Sequence, residues 1–316
     1  IMGRRTALPL MLSPTAVQRA FHWQGETAVA RAAERFGLWF GISSLATRSI
    51  EEVAALTGGP KLFQLYVHKD KGLNASMIER CQAARFDALA LTVDTIVSGK
   101  RERCLRSGFT TPPRFSASVL WSYATRPRWT LDYLLREQFR LPNLDTHVRE
   151  GSGKAVSIAE YFNTMLDTSM DWDTAARIRQ DWGGTFCLKG VMSAADARRA
   201  VEIGADAIMI SNHGGRQLDG SRAPFDQLRE IVDTVGGEIE IICDGGVRRG
   251  THVLKSLCAG ATAASGGRLY LYALAAAGQP GVERAIGILK DEIERGMRLM
   301  GVTSVDQLAP GRLRWR

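Results

Sequence analysis

Eight short apolar runs recur along this chain, most of them followed by a stretch of helical periodicity, and no other feature narrows the fold so far. The runs are Leu8 to Ser13, Leu38 to Ser43, Lys61 to Val67, Ala88 to Asp94, Thr185 to Val191, Ala207 to His213, Ile239 to Asp244 and Ala261 to Gly267. Continuous apolar runs of this length are what parallel strands buried on both faces require. Parallel neighbours cannot be joined by a tight hairpin and need a crossover, which is usually a helix. Eight β-then-α units in 316 residues therefore predict an α/β chain closed into a (β/α)8 barrel. Ser49-Ile50-Glu51-Glu52 and Ser193-Ala194-Ala195-Asp196 read as capping boxes that start two of the helices, a structural role. Composition marks no boundary, so residues 1–316 read as one domain, with residues 95–171 as a long segment inserted after the fourth strand.

Barrel enzymes build their sites from the C-terminal ends of several strands. Followed to those ends, the runs deliver Pro14-Thr15-Ala16, Ser43, Gln64 with Tyr66, Thr92 with Asp94, Lys189, Ser211 with His213, Asp244, and Gly267-Arg268. Any one of these could be a satisfied buried polar group, but polar residues at all eight ends mark a site. In Ser211-Asn212-His213-Gly214-Gly215-Arg216-Gln217-Leu218-Asp219-Gly220, a base and a guanidinium stand three residues apart across two glycines. The glycines allow a sharp turn that faces both groups toward one small anion. Asp244-Gly245-Gly246-Val247-Arg248-Arg249-Gly250 and Gly266-Gly267-Arg268 follow the last two runs, the usual place of a barrel phosphate site. They imply a phosphorylated ligand with Arg248 and Arg268 as its cations. Neither a G-x-G-x-x-G turn after a strand nor a G-x-x-x-x-G-K-[ST] loop is present.

An excess of 41 basic over 33 acidic side chains gives a net charge of +8, which favours anionic small molecules, anionic lipid or nucleic acid. The arginines and aromatics form no recognisable nucleic-acid motif, so no nucleic-acid partner is expected. Cys81, Cys104, Cys187, Cys243 and Cys258 are odd in number and scattered, against a disulfide framework or a zinc site and for a reducing compartment. No apolar run reaches the roughly 18 to 20 residues that span a bilayer, and no signal peptide is legible. A cytoplasmic protein is expected, with the inner face of a membrane as the alternative location.

Ser211 to Gly220 resembles the signature of the FMN-dependent 2-hydroxy-acid dehydrogenases and oxidases, which include lactate dehydrogenases, lactate oxidase, glycolate oxidase and mandelate dehydrogenase. Ser13-Pro14-Thr15-Ala16, Phe63-Gln64-Leu65-Tyr66, Leu91-Thr92-Val93-Asp94, Leu188-Lys189-Gly190-Val191 and Asp244-Gly245-Gly246-Val247-Arg248 match in the same order. The resemblance implies FMN in the barrel mouth, with no metal. Thr15 and Ala16 would lie by its ring through backbone groups, Ser43, Gln64, Thr92 and Lys189 would bind its polar edge, and Ser211 would lie near it. Asp244, Gly245, Gly246, Val247 and Arg248, with Gly267 and Arg268, would hold the ribityl and phosphate parts. Lys189 would stabilise the anionic reduced ring. Arg216 and Arg101 would bind the substrate carboxylate, Tyr66 would hydrogen-bond the substrate, His213 would be the base and Asp94 the carboxylate that orients it.

The implied reaction is oxidation of an (S)-2-hydroxy acid, lactate-like, to the 2-oxo acid, with electrons passed on to a quinone, a cytochrome or oxygen. The resemblance leaves open whether His213 takes the hydroxyl proton or the α-proton. It also implies a homo-oligomer, commonly a tetramer. The family carries an N-terminal segment with a carboxylate-binding tyrosine, and this chain begins after it, so the alternative expectation is an FMN-binding protein with weak or no turnover. Cys104 and Leu269 stand where the family has a polar or acidic residue and a proline. The inserted segment interleaves Arg101, Arg103, Arg106, Arg126, Arg128, Arg136 and Arg140 with Phe109, Trp121, Tyr123, Trp129, Tyr133 and Phe139. A substrate lid or subunit contact is the expected role, and a peripheral membrane contact near a quinone pool is the alternative.

Overall fold

In a computed structural model, residues 1–102, 106, 116–137, 140–144 and 164–314 are described. Arg103, Cys104, Phe109 and Phe139 lie outside them. The eight strands are β1 (Leu10–Thr15), β2 (Trp39–Ser43), β3 (Lys61–Leu65), β4 (Ala88–Thr92), β5 (Thr185–Lys189), β6 (Ala207–Ile210), β7 (Glu240–Asp244) and β8 (Ala263–Gly266). Every neighbour is parallel, and β1 pairs with both β2 and β8, so the sheet closes into the expected barrel. The runs in the sequence extend past most strands at one end, because residues such as Tyr66, Asp94 and His213 continue the line of the strand after its ladder has ended. β1 instead starts and ends two residues later than its run, with an irregularity in pairing between Leu12 and Thr15 where Pro14 lacks an N–H. Gly41 makes room for it: a Cβ there would stand 2.7 Å from Pro14 Cδ.

Outside the barrel lie α1 (Glu26–Arg35), α2 (Ile50–Leu56), α3 (Lys71–Ala83), α4 (Ala117–Ala124), α5 (Pro127–Leu135), α6 (Trp172–Trp182), α7 (Ala194–Glu202), α8 (Pro224–Val235), α9 (Gly250–Cys258) and α10 (Arg268–Leu299). α2 has the full capping box, with Ser49 accepting from Glu52 N and Glu52 from Ser49 N. α7 has half of it: Asp196, a methylene shorter than Glu, takes the Ser193 hydroxyl instead of the backbone N–H. α10 is kinked at Ala277 and Gly278, two residues before Pro280. α4 and α5 belong to the inserted segment, whose end returns to the barrel at Leu166, bridged to His68.

The period of two along each strand sorts the core into two shells. Leu10, Leu12, Phe40, Ile42, Phe63, Leu65, Leu89, Leu91, Phe186, Leu188, Ile208 and Ile210 face the helices in one cluster. Met11, Trp39, Leu62, Ala88, Ala90, Cys187, Ala207, Met209, Ile242 and Ala263 fill the barrel interior, with Met2 packed among them. Continuing the inward series by two residues, and on β2 by four past Gly41, gives Ser13, Ser43, Gln64, Thr92, Lys189, Ser211, Asp244 and Ser265, all buried. The polar site is thus the top layer of the interior, carried by the alternation that packs its floor.

Candidate active site

Lys189 anchors the layer. Its Nζ donates to Ser211 Oγ at 2.9 Å and lies 3.1 Å from Asp244 Oδ2, with both charged side chains under a tenth exposed. Ser211 Oγ donates to the same carboxylate oxygen at 2.8 Å, and Ser13 Oγ donates to Asp244 Oδ1 at 2.5 Å. Ser13 also meets Ser265 Oγ at 2.6 Å; since its one proton goes to Asp244, Ser265 is the donor. Burial pushes the Asp244 carboxyl up, but Lys189 and the serine hydroxyls outweigh it and hold the group below the usual carboxylate range. Burial pushes Lys189 down, and the charges of Asp244 and Asp94 reverse that and leave it above the usual lysine value. Both therefore stay ionised at neutral pH.

On the opposite side, Ser43 Oγ donates to Gln64 Oε1 at 2.9 Å and Gln64 Nε2 donates to Thr92 Oγ1 at 2.8 Å. Leu45 N in turn donates to Ser43 Oγ at 3.2 Å. The Tyr270 hydroxyl donates to Ser13 O at 2.7 Å and meets Thr15 Oγ1 at 2.6 Å, which makes Thr15 the donor there. With its hydroxyl so engaged, Thr15 offers a ligand its backbone, as does Ala16.

His213 is left-handed, with φ 57, and Gly214 and Gly215 follow at φ 67 and 72. A non-glycine residue held there costs about 1–3 kcal/mol and needs surrounding structure to enforce it. Ser211 Oγ supplies part of this by accepting from His213 N at 3.2 Å. The imidazole Nδ1 lies 3.1 Å and 3.3 Å from the two oxygens of Asp94, whose Oδ1 also accepts from Thr95 Oγ1 at 2.8 Å. A carboxylate partner places the proton on Nδ1 and leaves Nε2 as the basic nitrogen. Burial raises the Asp94 carboxyl, but hydrogen bonding to His213, the His213 charge and Lys189 outweigh it and hold the group low. Gly190 is required beside it: φ is 104, and a Cβ would stand 2.7 Å from Asp94 Cβ.

Tyr66 is 4% exposed, and its phenol is pushed up to about 12 by burial and by Asp94, against the opposing charges of Lys189, Arg101 and Arg216. Those groups therefore stand close enough to the phenol to bear on its ionisation, which brings the residues expected on the substrate side together. Arg101 is partly buried, with Nη2 3.4 Å from Gln217 Oε1, whereas Arg216 is exposed. Past β7, Gly245 and Gly246 have φ 123 and 72, Val247 packs into the core and Arg248 is exposed. Gly267 caps α10 with no side chain on its first N–H groups, and Arg268, in the first turn, donates from Nη2 to Gly214 O at 2.7 Å. This leaves an uncapped helix N-terminus, a glycine turn and two arginines on one side of the mouth, the elements of an anion cradle.

Several supporting residues were missed in the sequence. Ser13 and Ser265 were legible by counting inward positions back from the rim. Tyr270 carried no local signal, since its partners Ser13 and Thr15 are far away in the chain; Thr95, next to Asp94, and Gln217, inside the Ser211 to Gly220 signature, stood beside residues read as functional without a role of their own being legible.

The family model for FMN-dependent dehydrogenases matches residues 1–315. An L-lactate dehydrogenase of Alcaligenes faecalis is 39% identical over 316 residues, covering 98% of this chain and 81% of its own length. Glycolate oxidase of Spinacia oleracea is 37% identical over 309 residues, covering 98% and 78%. The crystal structure of the monotopic membrane protein (S)-mandelate dehydrogenase superposes with a TM-score of 0.92 at 34% identity, over 99% of this chain and 83% of that one. The residues present fit FMN: a buried cation and amide layer suits the ring edge, and the uncapped α10 terminus beside the glycine turn suits the phosphate. With a match that runs from the first strand to the end of the last helix, the chain belongs to the FMN-dependent dehydrogenase family and is an FMN-dependent oxidoreductase.

Proposed function

We propose that this protein oxidises small (S)-2-hydroxy acids of the lactate kind to 2-oxo acids, and that residues 1–316 act as one FMN-binding unit with residues 95–171 as its insertion. The observation that carries the mechanism is the His213–Asp94 pair, which leaves Nε2 as the available base, while Asp94, Arg101 and Arg216 all bear electrostatically on the Tyr66 phenol. Ser43, Gln64, Thr92, Lys189 and Ser211, with the backbone of Thr15 and Ala16, would hold the flavin ring. Asp244, Gly245, Gly246, Val247, Arg248, Gly267 and Arg268 would hold the ribityl and phosphate parts. When bound, FMN supplies the two-electron acceptor that no amino-acid side chain provides.

The chain's own residues do the rest. Arg101 and Arg216 take the carboxylate, since guanidinium forks match it in shape and charge. Tyr66, neutral at any physiological pH, donates a hydrogen bond to the substrate. His213 receives a substrate proton at Nε2, and the ionised Asp94 stabilises the imidazolium that results. In a His213→Ala variant, turnover of (S)-lactate should fall at least a hundredfold with FMN still bound; unchanged turnover would overturn the assignment.

A quinone, a cytochrome or oxygen would take the electrons on from bound FMN. Rapid reoxidation of the anaerobically reduced protein by air would identify an oxidase, and its absence a dehydrogenase. The active form is a homo-oligomer, a tetramer by analogy with the family.

A peripheral membrane contact is supported by the outer face of the insertion, where Leu120, Trp121, Leu131, Leu134 and Leu135 are all more than half exposed. Leu131, Leu134 and Leu135 share one face of α5, while Trp129, on the other, donates to Ala20 O. Exposed Arg126 and Arg128 adjoin this face, a composition suited to anionic lipid, whereas Arg136 lies over the Trp23 ring and pairs with Asp132. No helix among the described residues is long and apolar enough to cross a membrane. Cosedimentation with phosphatidylglycerol vesicles at low salt should pellet the protein; no lipid-dependent pelleting would leave a lid or subunit contact as the role of this face.

A further inference from the structure

We infer that Gln217 is a positioning residue for substrate binding: its amide ties the loop after β4 to the turn after β6 and so sets the spacing between Arg101 and Arg216. The inference rests on the reading above, that these two guanidiniums take the substrate carboxylate. All of the amide's hydrogen-bonding capacity is spent on the one loop. Oε1 accepts from Gly99 N at 3.3 Å and from Arg101 Nη2 at 3.4 Å, while Nε2 donates to Asp94 O at 3.2 Å and to Val97 O at 3.0 Å. The loop therefore meets Gln217 at four of its residues.

The backbones meet as closely. A Cβ on Gly99 would stand 2.3 Å from Arg216 O and 2.7 Å from Gln217 Cα, so only glycine lets the loop lie on the turn. Arg101 follows Gly99 by two residues and Arg216 precedes Gln217 by one. The contact thus fixes the roots of both cations relative to one another. Two guanidiniums facing one small site repel, and without a ligand between them they would spread unless their backbones were tied. A preset spacing removes the cost of bringing them together when a carboxylate arrives. Substrate affinity, rather than the rate at saturation, should depend on the tie.

The test is the FMN-loaded Gln217→Leu variant, which keeps the bulk and removes all four hydrogen bonds. KM for (S)-lactate and the Kd of oxalate, read from the flavin absorbance change on binding, should each rise tenfold or more, while the limiting rate of anaerobic flavin reduction falls less than threefold. In an Arg101→Met background, Gln217→Leu should raise KM less than twofold further, because only the Arg216 guanidinium remains and there is no spacing left to set. Gly99→Ala attacks the same contact from the other side and should reproduce the split, which keeps the test open if Gln217→Leu fails to fold. A rate loss equal to the KM effect, or multiplicative effects in the double variant, would overturn the inference alone. If Arg101→Met and Arg216→Met leave KM unchanged, the carboxylate assignment falls, and the inference with it.

Discussion

Replacing Asp94 with asparagine removes one charge and almost no volume from the centre of the site. The side-chain amide would keep an oxygen for Nδ1–H and for Thr95, so the imidazole would hold its place, but the imidazolium formed on taking the substrate proton would lose its counter-charge. At the observed 3.1 Å, two unit charges in a medium of effective dielectric about 20 attract by about 5 kcal/mol. The side chains are 19% and 12% exposed, which screens part of this, and about 3–5 kcal/mol of transition-state stabilisation remains. At about 1.4 kcal/mol per factor of ten, flavin reduction should slow by about two to four orders of magnitude. The assay is anaerobic stopped-flow bleaching of the flavin by saturating (S)-lactate, with oxalate affinity as the control that the carboxylate site is intact. An Asp94→Asn variant that reduces its flavin within threefold of the parent rate would refute the role given to this carboxylate.

Lys189→Met should leave Asp244 buried without its cation, a loss of about 3–5 kcal/mol in urea denaturation, with FMN lost on gel filtration. Gly190→Ala should cost about 1–3 kcal/mol for a left-handed alanine and push Asp94 off His213, so its Tm and its flavin reduction rate should fall together. His68 is wholly buried, and burial lowers its imidazole to about 4 against an ordinary 6.5. The unfolded chain therefore binds the extra proton first as pH falls, and the folded state is penalised below 6.5, by about 2 kcal/mol at pH 5. Between pH 7.5 and 5, a His68→Gln variant should lose about that much less stability than the parent in urea titrations.

The fold was legible because a parallel strand covered on both faces has to be a short apolar run, and eight such runs leave little choice of architecture. The site was legible because the same period of two that packs Met11, Ala90 and Met209 into the interior delivers Ser13, Thr92 and Ser211 two residues later. What escaped the sequence were contacts between distant segments: the Ser13–Ser265 pair spans 252 residues, and the tie from Gln217 depends on how closely Gly99 can approach. The inserted helices escaped for another reason. At 8 and 9 residues, α4 and α5 are too short to show a period, and their apolar outer faces emerge only when their inner faces are seen packed.

That this barrel holds FMN and reduces it with an (S)-2-hydroxy acid through His213 is tested most directly by a visible spectrum. It is recorded anaerobically on the protein loaded with FMN, before and after adding (S)-lactate. Bound-flavin bands that bleach with (S)-lactate, persist with (R)-lactate and bleach at least a hundredfold more slowly with (S)-lactate in the His213→Ala variant are the predicted result. A protein that takes up no FMN, or whose bound FMN no 2-hydroxy acid bleaches, would contradict the account.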